Sequence, residues 1–231
     1  MLKIRRGDER GTTRTEWLDS RHTFSFGDYD DPAYRGISIL RVLNDDRVAP
    51  GAGFPPHGHR DMEIVSWVLS GSVAHGDSLG HSRVLRAGEM QVMTAGNGVR
   101  HSETNPSEDE PVHFLQIWLR PQRMGGIPDY RQARIFADGE TGIRCAAGPE
   151  EEGILPLAQD ARIWALRLPP DGGGALTLEV GRQGYLHVAK GAGEVLGQWL
   201  DTGDGAHIAG HRDIPFHGGA EGLHGVFLDL P

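Results

Sequence analysis

Two short patterns hold the residues of this 231-residue chain that could do chemistry. The first is Gly51-Ala-Gly-Phe-Pro-Pro-His57-Gly-His59-Arg-Asp-Met-Glu63. Side chains at i and i+2 of a strand face the same way, so His57 and His59 project to one side, close enough to share a metal ion. Continuing that parity places Asp61 and Glu63 on the same face, followed by Val65, Trp67 and Leu69, a polar end above an apolar interior. The second pattern runs from Gly88 to Asn105, where His101 and Glu103 again stand two apart and Gly88, Gly96 and Gly98 supply the turns. If the two strands lie opposite each other, His57, His59, His101 and Glu103 converge. A lone His-x-His on a polar strand is often merely exposed; followed by x3-Glu and a glycine-punctuated His-x-Glu, it points to a metal. Three neutral imidazoles and one carboxylate suit Fe(II), Mn, Ni, Cu or Zn and leave one or two positions open.

The segments that must position these residues read as strands. Glu63 to Leu69 is β-branched and aromatic, His113 to Leu119 continues the type, and His22 to Phe26 alternates. Arg35 to Leu43 reads as a strand closed by a turn at Asn44-Asp45-Asp46, and Val84-Leu85 and Glu89 to Thr94 extend the series. Short strands at this spacing, with few helical periods between them, predict a β-sandwich or barrel. The Pro- and Gly-rich stretch from Arg120 to Glu152 reads as the domain boundary, after which strands resume at Ala161 to Leu168, Ala175 to Val180 and Tyr185 to Ala189.

The second half echoes the first. Leu85 to Gly96 resembles Leu200 to Gly210, and Val68-Leu-Ser-Gly71 resembles Val188-Ala-Lys-Gly191, in the same order, which suggests a duplicated fold. Carried across that echo, the places of the ligands fall on Thr177, Glu179, Pro215 and His217, which cannot make a three-histidine site. His187, His207, His211, His217 and His224 are therefore read as surface or packing residues.

Composition narrows the function further. Net charge is −9, from 23 basic and 32 acidic residues, which argues against a nucleic-acid-binding surface. The mildly basic run from Lys3 to Arg14 reads as a solvated strand and turn. The single cysteine, Cys145, allows neither an intrachain disulfide nor a thiolate-built zinc site. The 34 glycines have no collagen-like period and suit a chain that reverses direction often. No stretch reads as a signal peptide or a membrane span, so a soluble, cytoplasmic protein without membrane contact is expected.

The first motif resembles the first cupin motif, and Gly88 to Asn105 the second. Closer still, the chain resembles the pirin family, in particular its bacterial quercetinase-like branch. The resembling stretches are Trp17-Leu-Asp-Ser20, His22 to Phe26, Tyr29-Asp-Asp-Pro32, Gly53 to His59, Met93 to Glu103 and Gln116-Ile-Trp118. The resemblance implies an all-β bicupin of two jelly-roll barrels, expected here as a metal-binding domain over 1–130 and a cupin-like domain without metal over 131–231. In most metal cupins the carboxylate ligand sits at the place of Glu63, and the third histidine would fall where this chain has Val99. The pirin pattern instead takes His101 and Glu103, which makes Glu103 the ligand and Glu63 a pocket carboxylate.

The resemblance also implies one divalent metal, Fe(II) foremost with Cu, Ni, Mn or Zn as alternatives. The reaction implied is the dioxygenase opening of a flavonol such as quercetin with loss of carbon monoxide. Glu103 would take the hydroxyl proton, with Glu63 as the second catalytic candidate. Phe24, Phe26, Phe54 and Trp67 are candidate lining for a planar aromatic substrate. The family equally implies a non-enzymatic reading, a metal-dependent protein binding a transcription factor or a metabolic enzyme. A cupin isomerase is a weaker third reading, because only Arg60 and Arg100 flank the motifs.

Overall fold

Runs rich in β-branched and aromatic residues form the middle of the largest sheet of the first unit, where nearly every residue is buried. In the computed structural model, which describes residues 1–149 and 154–231, Glu63–Ser70 and Val112–Leu119 pair at the centre of a seven-stranded sheet. Its order is Asp129–Arg134, Glu89–Thr94, Glu63–Ser70, Val112–Leu119, Leu40–Val48, Leu18–His22 and Gly11–Arg14, antiparallel throughout. A second sheet holds Gly53–His59, Val99–Thr104, Ser72–Asp77 and Ser82–Arg86 in that order, also antiparallel. These strands belong to one unit, Gly11–Ile135 with Leu155–Gln159.

The other unit comprises Met1–Arg10, Phe136–Ile154 and Asp160–Pro231. Its long strands Gln183–Val195 and Asp213–Leu230 pair with each other, and Leu186, Val188, Phe216 and Phe227 fill its core. Where the sequence suggested a division at residue 130, the contacts divide at Ile135. They also place the first ten residues in the second unit, because Leu2–Arg5 adds to the edge of Gly205–Ala209. Part of the expected boundary stretch, Glu150 to Gly153, lies outside the described residues. The all-β, two-cupin architecture holds; among the described residues the sole helical element is a 3-10 turn at Gly7–Glu9, and no helix is long and apolar enough to cross a membrane.

Two local expectations change. Asn44-Asp45-Asp46, read as a turn, lies inside the strand Leu40–Val48, with all three residues buried. Turn propensity is overridden because the polar side chains find partners: Asn44 meets His22 at 2.9 Å, Asp46 accepts from the Ser20 hydroxyl, and Asp45 meets His113 at 2.7 Å. The alternation from His22 to Phe26 is also not a strand. Pairing ends at His22, and Phe26 instead bridges Tyr29 in a turn.

Candidate metal centre

The His-x-His strand is shaped by its prolines. Pro55 and Pro56 have no N–H to give to a ladder, and pairing with Val99–Thr104 slips there: His57 opposes His101, whereas Phe54 opposes Glu103. The slip is a β-bulge, and it leaves His57, His59 and His101 on one face. Gly53 permits the close approach beside it, since a Cβ there would lie 2.4 Å from the Glu103 carbonyl oxygen. Nε2 of His57 and Nε2 of His101 are 3.1 Å apart, and the ring centroids of His59 lie 4.7 and 4.9 Å from those of His57 and His101. One nitrogen from each of the three rings lies within 4.8 Å of the others.

Glu103 enters from the same strand, fully buried, and meets a row of polar side chains from the facing sheet. Asn44, Gln116, Ser66 and Gln91 are successive cross-strand neighbours, so they form a single belt. Ser66 Oγ and Gln91 Nε2 donate to Oε1 of Glu103 at 2.8 and 2.7 Å, and Gln116 Nε2 donates to Oε2 at 2.7 Å. A carboxylate offers about four lone-pair sites. Three are used here, and the one left is on Oε2.

On the other side of the Val99–Thr104 strand, Glu103 is paired with His75 and His101 with Asp77. His75 lies face to face with Tyr130, centroids 4.5 Å apart, and its Nε2 is 3.1 Å from Asp77 Oδ2. His75, His101 and Glu103 form a second trio whose ligand atoms all lie within 4.8 Å of one another.

The electrostatics favour metal-ready rings. Burial, with the neighbouring His57 adding to it, lowers the pKa of His59 to about 4 and that of His101 to about 3, so both are neutral near pH 7. The ring of His57 contacts the Pro55 carbonyl through Nδ1 at 2.8 Å; a carbonyl only accepts, so Nδ1 carries the proton and Nε2 presents its lone pair. Nε2 of His59 is buried without a hydrogen-bond partner. Two nitrogens about 2.0–2.1 Å from one ion, at angles from octahedral to tetrahedral, would lie about 2.9–3.4 Å apart. The 3.1 Å between His57 and His101 falls in that range. Burial raises the pKa of Glu103 despite its hydrogen bonds, and a bound cation would offset that cost. The three-histidine set therefore fits a first-row divalent metal, while Glu103 falls within 4.8 Å of His101 in the other trio rather than in this one.

Not every expected residue meets at this point. Glu63 belongs to neither trio: the chain turns through Asp61, whose φ is 53°, and Glu63 starts a strand in the other sheet, so the parity running on from His57 does not survive. Its Oε2 accepts from the Thr94 hydroxyl at 2.8 Å and the Ala158 N–H at 3.2 Å, and burial pushes its pKa up to about 7. Trp67 shares the strand parity of Glu63, opposite to Ser66. Phe54 packs edge-on against Trp17, and Phe24 is core. Phe26 does line the approach, edge-on to Trp118, whose ring lies 4.9 Å from that of His59. His75, Ser66, Gln91 and Gln116 escaped the sequence reading. Their signal was a polar residue inside an apolar strand, as in Glu-Ile-Val-Ser66-Trp-Val-Leu and His-Phe-Leu-Gln116-Ile-Trp-Leu.

In the second unit, His187 is fully buried, His207 contacts Gln183 Oε1 at 2.8 Å, and the two metal-type trios found among the described residues both lie in the first unit.

The Pirin family model matches residues 4–119, and the model of the quercetinase C-terminal cupin domain matches residues 145–230. The chain is 39% identical over 232 residues to a quercetin 2,3-dioxygenase of Escherichia coli K12, covering 100% of this chain and 99% of that protein. It is 40% identical over 205 residues to a pirin-like protein of Caulobacter vibrioides, covering 87% and 88%. Among solved structures, the nickel(II) complex of the bacterial pirin YhhW from Escherichia coli superposes with a TM-score of 0.93 at 38% identity, covering 100% of this chain and 99% of that one.

Proposed function

Because the chain belongs to the pirin family, we propose that it is a metal-dependent dioxygenase of the quercetinase type. It opens a flavonol with dioxygen, keeps both oxygen atoms in the ring-opened ester and releases the carbon that bore the 3-hydroxyl as carbon monoxide. The observation that carries this reading is the meeting of His57, His59 and His101 beside a buried carboxylate with one free lone pair. A metal held there by His57, His59, His101 and Glu103 supplies Lewis-acid and redox chemistry toward dioxygen and the flavonol 3-oxygen. We assign iron(II) first, with nickel(II), the ion in the YhhW complex, as the metal to test against it.

The chain's own residues do the rest. The three rings are held on paired strands, so little reorganisation is needed on binding. Glu103 takes the 3-hydroxyl proton on Oε2, its hold on the metal giving way to the proton, while Gln116, Gln91 and Ser66 fix its orientation. Phe26 and Trp118 give the planar substrate an aromatic wall beside His59.

The test is an oxygen-electrode and carbon monoxide assay with quercetin on protein loaded separately with iron(II), nickel(II) and copper(II). Oxygen uptake with stoichiometric carbon monoxide, absent in His101→Ala, is the expected result. Uptake no faster than the slow oxidation of free flavonol with every metal would overturn the enzymatic reading.

A further inference from the structure

His75 has no role in the reading above, yet it is buried beside Glu103 and carries a ring nitrogen with no partner. Asp77 explains the nitrogen's state. Its carboxylate accepts from His75 Nε2, from His81 Nδ1 at 2.9 Å and from the backbone N–H groups of Leu79 and His81. Facing these donors as an acceptor, Asp77 places the ring proton of His75 on Nε2 and leaves Nδ1 with its lone pair. That Nδ1 is buried and unpartnered, as is Nδ1 of His101. Tyr130, stacked on both His75 and His81, holds the ring in place.

A buried imidazole nitrogen without a donor is costly unless something accepts its lone pair. His75 and His101, which carry these two nitrogens, and Glu103, which has one open lone pair, each place a ligand atom within 4.8 Å of the others. We propose that His75 is a further metal-ligating residue, and that His75, His101 and Glu103 form an inner metal position beside the outer histidines His57 and His59. The two positions are alternatives. Both draw on His101 and on the same free lone pair of Glu103, so one ion occupies one or the other and the stoichiometry stays at one per chain. Two neutral nitrogens and one carboxylate oxygen make the inner position a site for a first-row divalent ion.

The proposal rests on the metal reading of the site, and the test separates the two. Cobalt(II) is titrated into the full chain against a competing chelator, with visible absorption reporting the ligand field. The proteins are wild type, His57→Ala/His59→Ala, and that pair combined with His75→Ala. His57 and His59 are only partly buried, so their removal leaves the core intact; His57→Gln/His59→Gln repeats the comparison should the alanine pair fail to fold. The outer double variant is expected to keep one cobalt(II), and adding His75→Ala to abolish it. Asp77→Asn in the double background should weaken binding about 10- to 100-fold, as loss of a ligand-orienting acceptor does. A folded double variant that binds no cobalt(II), or one indifferent to His75→Ala, overturns the inner position alone. A wild type that binds none overturns the metal site altogether.

Discussion

Gln116 donates from Nε2 to Oε2 of Glu103 at 2.7 Å, and it does so in a fixed orientation because Trp118 Nε1 donates to its oxygen at 3.1 Å. The indole decides which end of the amide faces the carboxylate. Trp118 and Glu103 are thus joined in one hydrogen-bonded unit through Gln116, two residues from Trp118 on the same strand.

Gln116→Leu tests that unit. It removes a hydrogen bond to a charged group, worth about 1.5–3 kcal/mol, and leaves Trp118 Nε1 without its acceptor. Metal affinity is expected to fall about 10- to 100-fold, with flavonol turnover falling further than the affinity alone explains. Chelator competition and turnover at saturating metal measure the two separately. Unchanged turnover at full metal occupancy would show that the orientation of Glu103 does not matter.

Glu103→Gln should cost more metal affinity than Glu63→Gln. Glu103 lies in a trio with two imidazoles, whereas Glu63 is bonded to Thr94 and Ala158 and belongs to neither trio. Removing the charged ligand is expected to exceed the roughly 10- to 100-fold loss typical of an outer-shell acceptor, and removing Glu63 to fall below it. The reverse order in chelator competition would move the carboxylate ligand to the position common in other cupins.

One metal per chain is expected by elemental analysis, lost in His101→Ala, which is shared by both trios. Two ions per chain would refute a single shared centre, and an ion retained through His207, His211 or His217 would locate one in the second unit.

The proposed ligands could be picked out in the sequence because each pair sits two apart on one strand, where spacing alone fixes the face. His75 was not legible: it is alone in Ser-Val-Ala-His75-Gly-Asp, and its relation to Glu103 exists only through strand pairing. Glu63 was misplaced in register for the opposite reason, since a parity argument fails wherever a turn such as that at Asp61 separates two strands. Asn44-Asp45-Asp46 misled because turn propensity is local, whereas these residues find their partners on other strands: Asn44 in the polar belt, Asp46 beside it at Ser20, and Asp45 at His113. The barrel class itself followed from strand spacing and composition, signals that average over many residues and tolerate such local errors.

That buried belt should make stability depend on pH through Asp46. Burial raises its pKa from 3.8 to about 7; the Ser20 hydroxyl opposes the shift, and the charges of Asp45 and Glu103 add to it. Between those two values the unfolded chain releases the Asp46 proton while the folded chain keeps it, so the unfolded state binds fewer protons and stability falls as pH rises. The contribution is fully present below about pH 3.8 and lost by about pH 7, the reverse of a salt-bridged aspartate. Asp46→Asn retains an oxygen for Ser20 and cannot ionise. Relative to wild type, the variant should gain stability as pH is raised from about 5 to about 8, by on the order of a few kcal/mol. Urea unfolding of the metal-free proteins at several pH values measures the difference. A wild-type-minus-variant stability that stays constant across that range would show that Asp46 is ionised in the fold, and that the belt carries a buried charge rather than a proton.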